Sequence, residues 1–139
     1  MTPSRDPFSY AVLRVVPDIE REEFVNAGLL LFCRSRRFLR ARTSLDVQRL
    51  DAIRPGVDAA AVRGQLELVE RIAAGNVQSG PLSGMSESER FHWLTTPRST
   101  AVQPGPVHGG MSDDPAATFE QLYRTLVTEP RTDGSPGAA

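Results

Sequence analysis

FSYAVLRVVPDIEREEFVNAGLLLFC, residues 8 to 33, is the stretch on which the fold turns. Two apolar runs rich in aromatic and branched side chains flank a short charged connection. Phe8 to Val16 reads as a strand. Phe24 to Cys33 reads as a second strand, apolar on both faces, and such a strand belongs inside a sheet. The connection from Pro17 to Glu23 has room for one helical turn, with Asp18 as its cap. Strict alternation puts Tyr10, Val12, Arg14 and Val16 on one face of the first strand, and Phe24, Asn26, Gly28, Leu30 and Phe32 on one face of the second. If the strands pair across the connection, Arg14 and Asn26 lie near its base.

Outward from this pair, Arg34 to Arg37 forms a polar tip, and Phe38 to Arg42 a third strand. Helical signals follow. Ser44 or Asp46 starts a short helix through Leu50 and Ile53, stopped by Pro55-Gly56. Asp58 caps a longer helix in which Val62, Leu66, Val69 and Ile72 recur at helical spacing, and Gly75 ends it. Residues 76 to 85 read as a loop. Ser86 with Glu89 matches a capping box opening a short helix through Trp93. Thr95 to Gly110 is rich in Pro and Gly, with only a short edge strand expected near Ala101 to Gln103. Asp114-Pro115 starts a last helix carrying Phe119, Leu122, Tyr123 and Leu126. Strands first and helices after predict a single α+β domain over residues 8–128: an antiparallel sheet of three to four strands with about four helices packed on it. Residues 1–7 and 129–139 are expected to be flexible ends.

At 139 residues and 40% hydrophobic, the chain can bury a core without metals or disulfides. Its formal net charge of −1 creates no global pull toward nucleic acid or membranes. All 16 basic residues are arginines. The absence of Lys removes a phosphate-loop lysine, a Schiff-base lysine and the Glu-x-Lys of a common nuclease core. The single cysteine, Cys33, has no intramolecular disulfide partner, and the longest apolar run is too short to span a bilayer. A cytoplasmic location without membrane contact is the expectation.

The charged connection admits two readings. Arg14 and Arg21 are neutralised by Asp18, Glu22 and Glu23 in a salt-bridged turn, or the group forms a polar pocket that holds an anion or a partner's side chain. Asp18 and Arg21, three apart, would be neighbours on a helical turn. An enzyme reading takes Glu23 or Asp18 as general base on a phosphate- or carboxylate-bearing substrate, with the arginines as clamps.

Y-x-V-x-R-x-V-P-D-x-x-R-x-E-F-V-N-x-G, from Tyr10 to Gly28, resembles the signature of a family of small bacterial proteins classified as a domain of unknown function. W-L-T-T-P-R-S-T, Trp93 to Thr100, is similar to that family's second signature, and Asp113-Asp114-Pro115 also fits. The resemblance spans roughly residues 8 to 128 and brings no established activity. Members are often encoded beside a HipA-like kinase, which implies at most a partnership. The matching residues are Arg14, Pro17, Asp18, Arg21, Glu23, Asn26, Gly28, Pro97, Arg98 and Ser99.

Three further features carry chemistry. Arg34, Arg36, Arg37, Arg40 and Arg42 form a basic hairpin able to track a phosphate backbone, or else a solvated, charge-protected tip. Arg98 and Ser99 offer a guanidinium fork and a hydroxyl to an anion. Cys33, His92 and His108 are scattered and make no metal-ligand pattern, and Gly109-Gly110 lacks the strand and helix of a dinucleotide loop. No cofactor or metal is expected. The reading that results is an accessory or regulatory protein that binds a protein partner or a small anionic ligand through Arg14, Asp18, Arg21, Glu23, Asn26, Gly28, Arg98 and Ser99. Catalysis and nucleic-acid binding are the alternatives.

Overall fold

Strand β1, Asp6–Asp18, and strand β2, Glu23–Cys33, pair antiparallel across a 3₁₀ turn at Ile19–Arg21. The computed structural model describes residues 4–98 and 100–128. The expected tail from Glu129, the first three residues and Ser99 lie outside the described residues. Asp18 caps the turn, its carboxylate accepting from the Glu20 N–H at 3.1 Å, and Glu22 leaves it in the left-handed region at φ 55°. β3, Phe38–Thr43, lies along the other side of β2.

The outer edge of β1 is covered by two short strands placed end to end, β4 (Val102–Pro104) and β5 (His108–Ser112), both antiparallel to it. The sheet order is β3-β2-β1-β4, with β5 also on β1, so β2 is interior, as its double-sided apolarity requires. β5 falls in a stretch read from the sequence as loop. His108-Gly-Gly-Met has little strand propensity of its own. Its pairing depends on Gly110, where a Cβ would come within 2.6 Å of the Phe8 ring.

Helices α1 (Val47–Ile53), α2 (Ala59–Ala74) and α3 (Glu87–Leu94) cover one face of the sheet. α4 (Pro115–Tyr123), extended by a π-helical turn at Arg124–Thr128, covers the other. Each helix opens on the cap its sequence announces: Asp46, Asp58, Ser86 with a complete capping box, and Asp114 ahead of Pro115. On the α2 face, Leu13 and Leu30 pack with Val69, Ile72 and Leu94, while Val15, Val25 and Ala27 pack with Leu50, Val62 and Leu66. On the α4 face, Phe8, Leu29, Leu31 and Cys33 pack with Phe119, Tyr123 and Val127. Burying each of these large side chains contributes roughly 1.5–3 kcal/mol.

The alternation expected along β2 breaks in the middle. Leu13 pairs with Gly28 but Arg14 pairs with Asn26, so Ala27 is an extra residue, a β-bulge. Phe24 and Asn26 therefore share a face with Leu29, Leu31 and Cys33, not with Gly28, Leu30 and Phe32. Gly28 sits at the closest approach of the three strands: a Cβ there would lie 2.8 Å from the Arg42 carbonyl oxygen and 3.1 Å from Leu13 Cδ1.

Candidate functional site

The charges of the connection between β1 and β2 are paired in part within it and in part with Arg54 at the end of α1. Arg21 Nε donates to Glu23 at 2.5 Å with both side chains exposed, and Asp18, already the turn's cap, lies 3.8 Å from Arg54. The hydrogen bond that Arg21 donates to Glu23 pushes Arg21 above its ordinary pKa. The recess lined by Pro17, Asp18, Arg21, Glu23 and Arg54 holds about 10 Å³. It has no room for a substrate.

Behind this surface, Arg14 sits at the base, as the pairing predicts. It faces Asn26 on one side and Gln103 on the other. Leu13 and Val15 point to the α2 face, so Arg14 points to the α4 face. Its guanidinium carbon stands 4.1 Å from the centre of the Phe24 ring, and its buried Nε has no hydrogen-bond partner among the described residues. Gly105 leaves the space for it, since a Cβ there would fall 3.0 Å from Arg14 Nε. Asn26 Nδ2 donates to the Leu126 carbonyl at 3.2 Å, which fixes the π-helical turn beside β2. Phe24 and Asn26 border an open groove of about 540 Å³ that also involves Arg49, Ile53 and Leu126.

Arg98, from the second signature, repeats the motif on the opposite face. Its guanidinium carbon lies 3.6 Å from the centre of the Trp93 ring, and Nη2 donates to the Trp93 carbonyl at 2.7 Å. Burial pushes Arg98 below the ordinary guanidinium pKa, although an arginine keeps its charge at neutral pH. Gln103 holds the loop that carries it: the amide oxygen accepts from the Arg98 N–H at 3.0 Å, and the amide nitrogen donates to the Arg98 carbonyl. Because Gln103 is also the ladder partner of Arg14, one edge-strand residue joins the two signature stretches.

The Trp93–Arg98 pair forms a wall of an open groove of about 680 Å³, completed by Met85, Ser88, Glu89 and His92. Glu89 is held below its ordinary pKa, first by the Ser86 backbone N–H and then by the Ser86 hydroxyl. A second, smaller recess of about 100 Å³ adjoins it through the same Trp93 and Arg98, and its lining is largely apolar.

Arg14 and Arg98 share a property that sets them apart from the other half-buried or ion-paired candidate arginines, the exposed Arg34 and Arg37 excepted. Arg21, Arg36, Arg40 and Arg42 each have a carboxylate within 4 Å, whereas neither Arg14 nor Arg98 has one among the described residues. Within the basic hairpin, Arg36 reaches Asp6 at 2.5 Å and the carbonyls of Ser4 and Asp113, each at 2.8 Å. Arg42 makes a bidentate pair with Glu120, both bonds 2.7 Å, while Arg40 lies 3.8 Å from it. Only Arg34 and Arg37, at the exposed tip, are left facing solvent with no ion pair among the described residues.

Cys33 is buried, and His108 lies against Tyr10 with ring centres 5.3 Å apart. Among the described residues no cluster of three or more His, Cys, Asp or Glu could hold a metal ion, and no helix is long and apolar enough to cross a membrane. Sequence reasoning gave no role to Trp93, Gln103 or Gly105. The available signal was an aromatic residue, an arginine and a glutamine bracketing one Pro-containing loop.

The family model described as "Protein of unknown function (DUF3037)" matches residues 10–127, and the chain belongs to that family. No curated protein and no solved structure matches the chain.

Proposed function

We propose that this protein is a non-catalytic binding module of accessory or regulatory type, and that it accepts an anionic group of a ligand or partner at arginines stacked on aromatic rings. One observation carries the reading: Arg14 and Arg98 are half-buried, each lies on a ring, and neither meets a carboxylate among the described residues. A partly desolvated guanidinium held only for the fold would normally be neutralised from within. Arg98 borders the 680 Å³ groove and is the more accessible receptor, with Gln103 fixing its position. Asp18, Arg21, Glu23 and Gly28 support the strand geometry around Arg14. Asn26 anchors the π-helical turn. A protein partner, a HipA-like kinase by the resemblance drawn from the signatures, would present its carboxylate or phosphate to the same receptors.

The catalytic reading, with Glu23 or Asp18 as base, is less well supported, because both carboxylates are engaged by arginines around a recess of about 10 Å³. Nucleic-acid binding through the hairpin rests on Arg34 and Arg37. The test is a thermal-shift screen of wild type, Arg98→Gln and Arg14→Gln against carboxylates, phosphates and nucleotides. An anion that raises the wild-type midpoint but not that of Arg98→Gln supports the reading. Equal stabilisation of all three proteins by every anion would remove it.

A further inference from the structure

The groove at Trp93 has one cation, one fixed anion and an apolar annex, and this combination selects a ligand class. Arg98 donates Nη2 to the Trp93 carbonyl, while no described acceptor meets its Nε or Nη1. One Nη2 hydrogen is thus taken, and the second Nη2 hydrogen with its neighbour on Nε or Nη1 leaves one two-pronged edge for an incoming carboxylate, the geometry that guanidinium matches best. Glu89, which lines the same groove, stays ionised, chiefly because its carboxylate accepts from the Ser86 backbone N–H. A single guanidinium opposed by a carboxylate accommodates a monoanion and disfavours a dianionic phosphate. The 100 Å³ recess opens beside the same guanidinium and is lined by Leu68, Val69, Ile72, Leu94, Val102 and Pro104.

From these features we infer that the groove takes a monocarboxylate attached to a small branched apolar group. The carboxylate sits on Arg98, and the apolar group occupies the recess beside the edge of the Trp93 ring. The inference rests on the reading of Arg98 as an anion receptor and names what that receptor selects. Two sources supply this chemistry: a free branched-chain acid, or the C-terminus of a polypeptide ending in an aliphatic residue.

Trp93 is the only tryptophan in the chain, so its fluorescence and its indole N–H resonance report on this groove alone. The full-length protein is titrated with acetate, 4-methylpentanoate, 4-methylpentanol and 3-methylbutyl phosphate. The expected result is saturable binding of 4-methylpentanoate, with affinity growing about fourfold for each methylene buried, and weaker binding of the other three. Arg98→Gln abolishes that binding. Leu68→Glu, at an exposed recess position, keeps the weak acetate response but loses the gain from chain length. If acetate or the phosphate ester binds as well as 4-methylpentanoate, Arg98 is an anion receptor but the proposed ligand class is wrong. If no anion perturbs Trp93, both readings fall. A short peptide ending in leucine, compared with its C-terminal amide, separates the two sources: a carboxylate-dependent peptide tighter than the free acid assigns a protein terminus, and the reverse order assigns a small acid.

Discussion

Asn26 and Leu126, a hundred residues apart in sequence, are joined by a hydrogen bond of 3.2 Å from the amide of one to the carbonyl of the other. The bond supplies a side-chain donor to a carbonyl within the π-helical turn at Arg124–Thr128. An Asn26→Ala substitution is expected to cost about 1–2 kcal/mol. Hydrogen exchange over residues 124–128 should accelerate while the affinity of the Trp93 groove stays unchanged. Urea unfolding and exchange mass spectrometry would check both. Loss of groove binding without loss of stability would reassign Asn26 to the ligand site.

Gly28 has no space for a side chain. Adding a Cβ brings it 2.8 Å from a backbone oxygen of β3, which cannot rotate away as a side chain would. Gly28→Ala should destabilise the fold by about 1–3 kcal/mol through overpacking. An unchanged denaturation midpoint would mean that β3 shifts freely against β2.

Arg98→Gln should leave stability within about 1 kcal/mol of wild type, because the aromatic contact it loses is offset by relief of an unneutralised, partly desolvated charge. A collapse of the folded state in this variant would show that Arg98 is held for the fold and not for a ligand. Calorimetric melting distinguishes the two.

Acid should weaken the fold through two named pairs. Arg36 holds Asp6 below its ordinary pKa, and Arg42 does the same to Glu120, each chiefly by its hydrogen bond. A carboxyl group whose folded value lies below its unfolded one stabilises the protein at neutral pH. That stability is lost as pH falls through the folded value, here from about pH 5 downward. Asp6→Asn and Glu120→Gln should each flatten the decline of the urea midpoint with acidification. A decline as steep as wild type in both would place acid sensitivity elsewhere.

Any nucleic-acid affinity of the hairpin should be weak and confined to its tip. With Arg34 and Arg37 as the free charges, log K against log salt should have a slope near −1.8 on duplex DNA, about two phosphates' worth. Arg34→Ala with Arg37→Ala should abolish it. A slope several times steeper would mean that Arg36, Arg40 and Arg42 leave their carboxylates to bind.

The parts of the fold that could be read in advance are those governed by local chemistry. Asp46, Asp58, Ser86 and Asp114 were identifiable as caps because a short polar side chain before an apolar repeat has one principal structural use. The first three strands were visible through aromatic and branched composition. β5 was not, because Gly110 is selected by the Phe8 ring across the ladder and not by strand propensity. Nor was the π-helical turn, which depends on an amide a hundred residues away. In the candidate site, the meeting of Arg14 with Asn26 followed from simple pairing. The ring under Arg98 and the clamp by Gln103 did not, since both depend on how a loop folds back on an edge strand.

The extra residue at Ala27 gives β2 two reading frames. Before it, odd-numbered positions serve the three-helix layer; after it, they serve the layer built on α4. Removing one residue here would not merely shorten the strand. It would exchange the inner and outer alphabets of everything on one side of the cut, sending Leu29, Leu31 and Cys33 toward helices shaped for Leu30 and Phe32. Length variation among related chains should therefore accumulate in the loops and spare this position, even though no ligand need ever touch it.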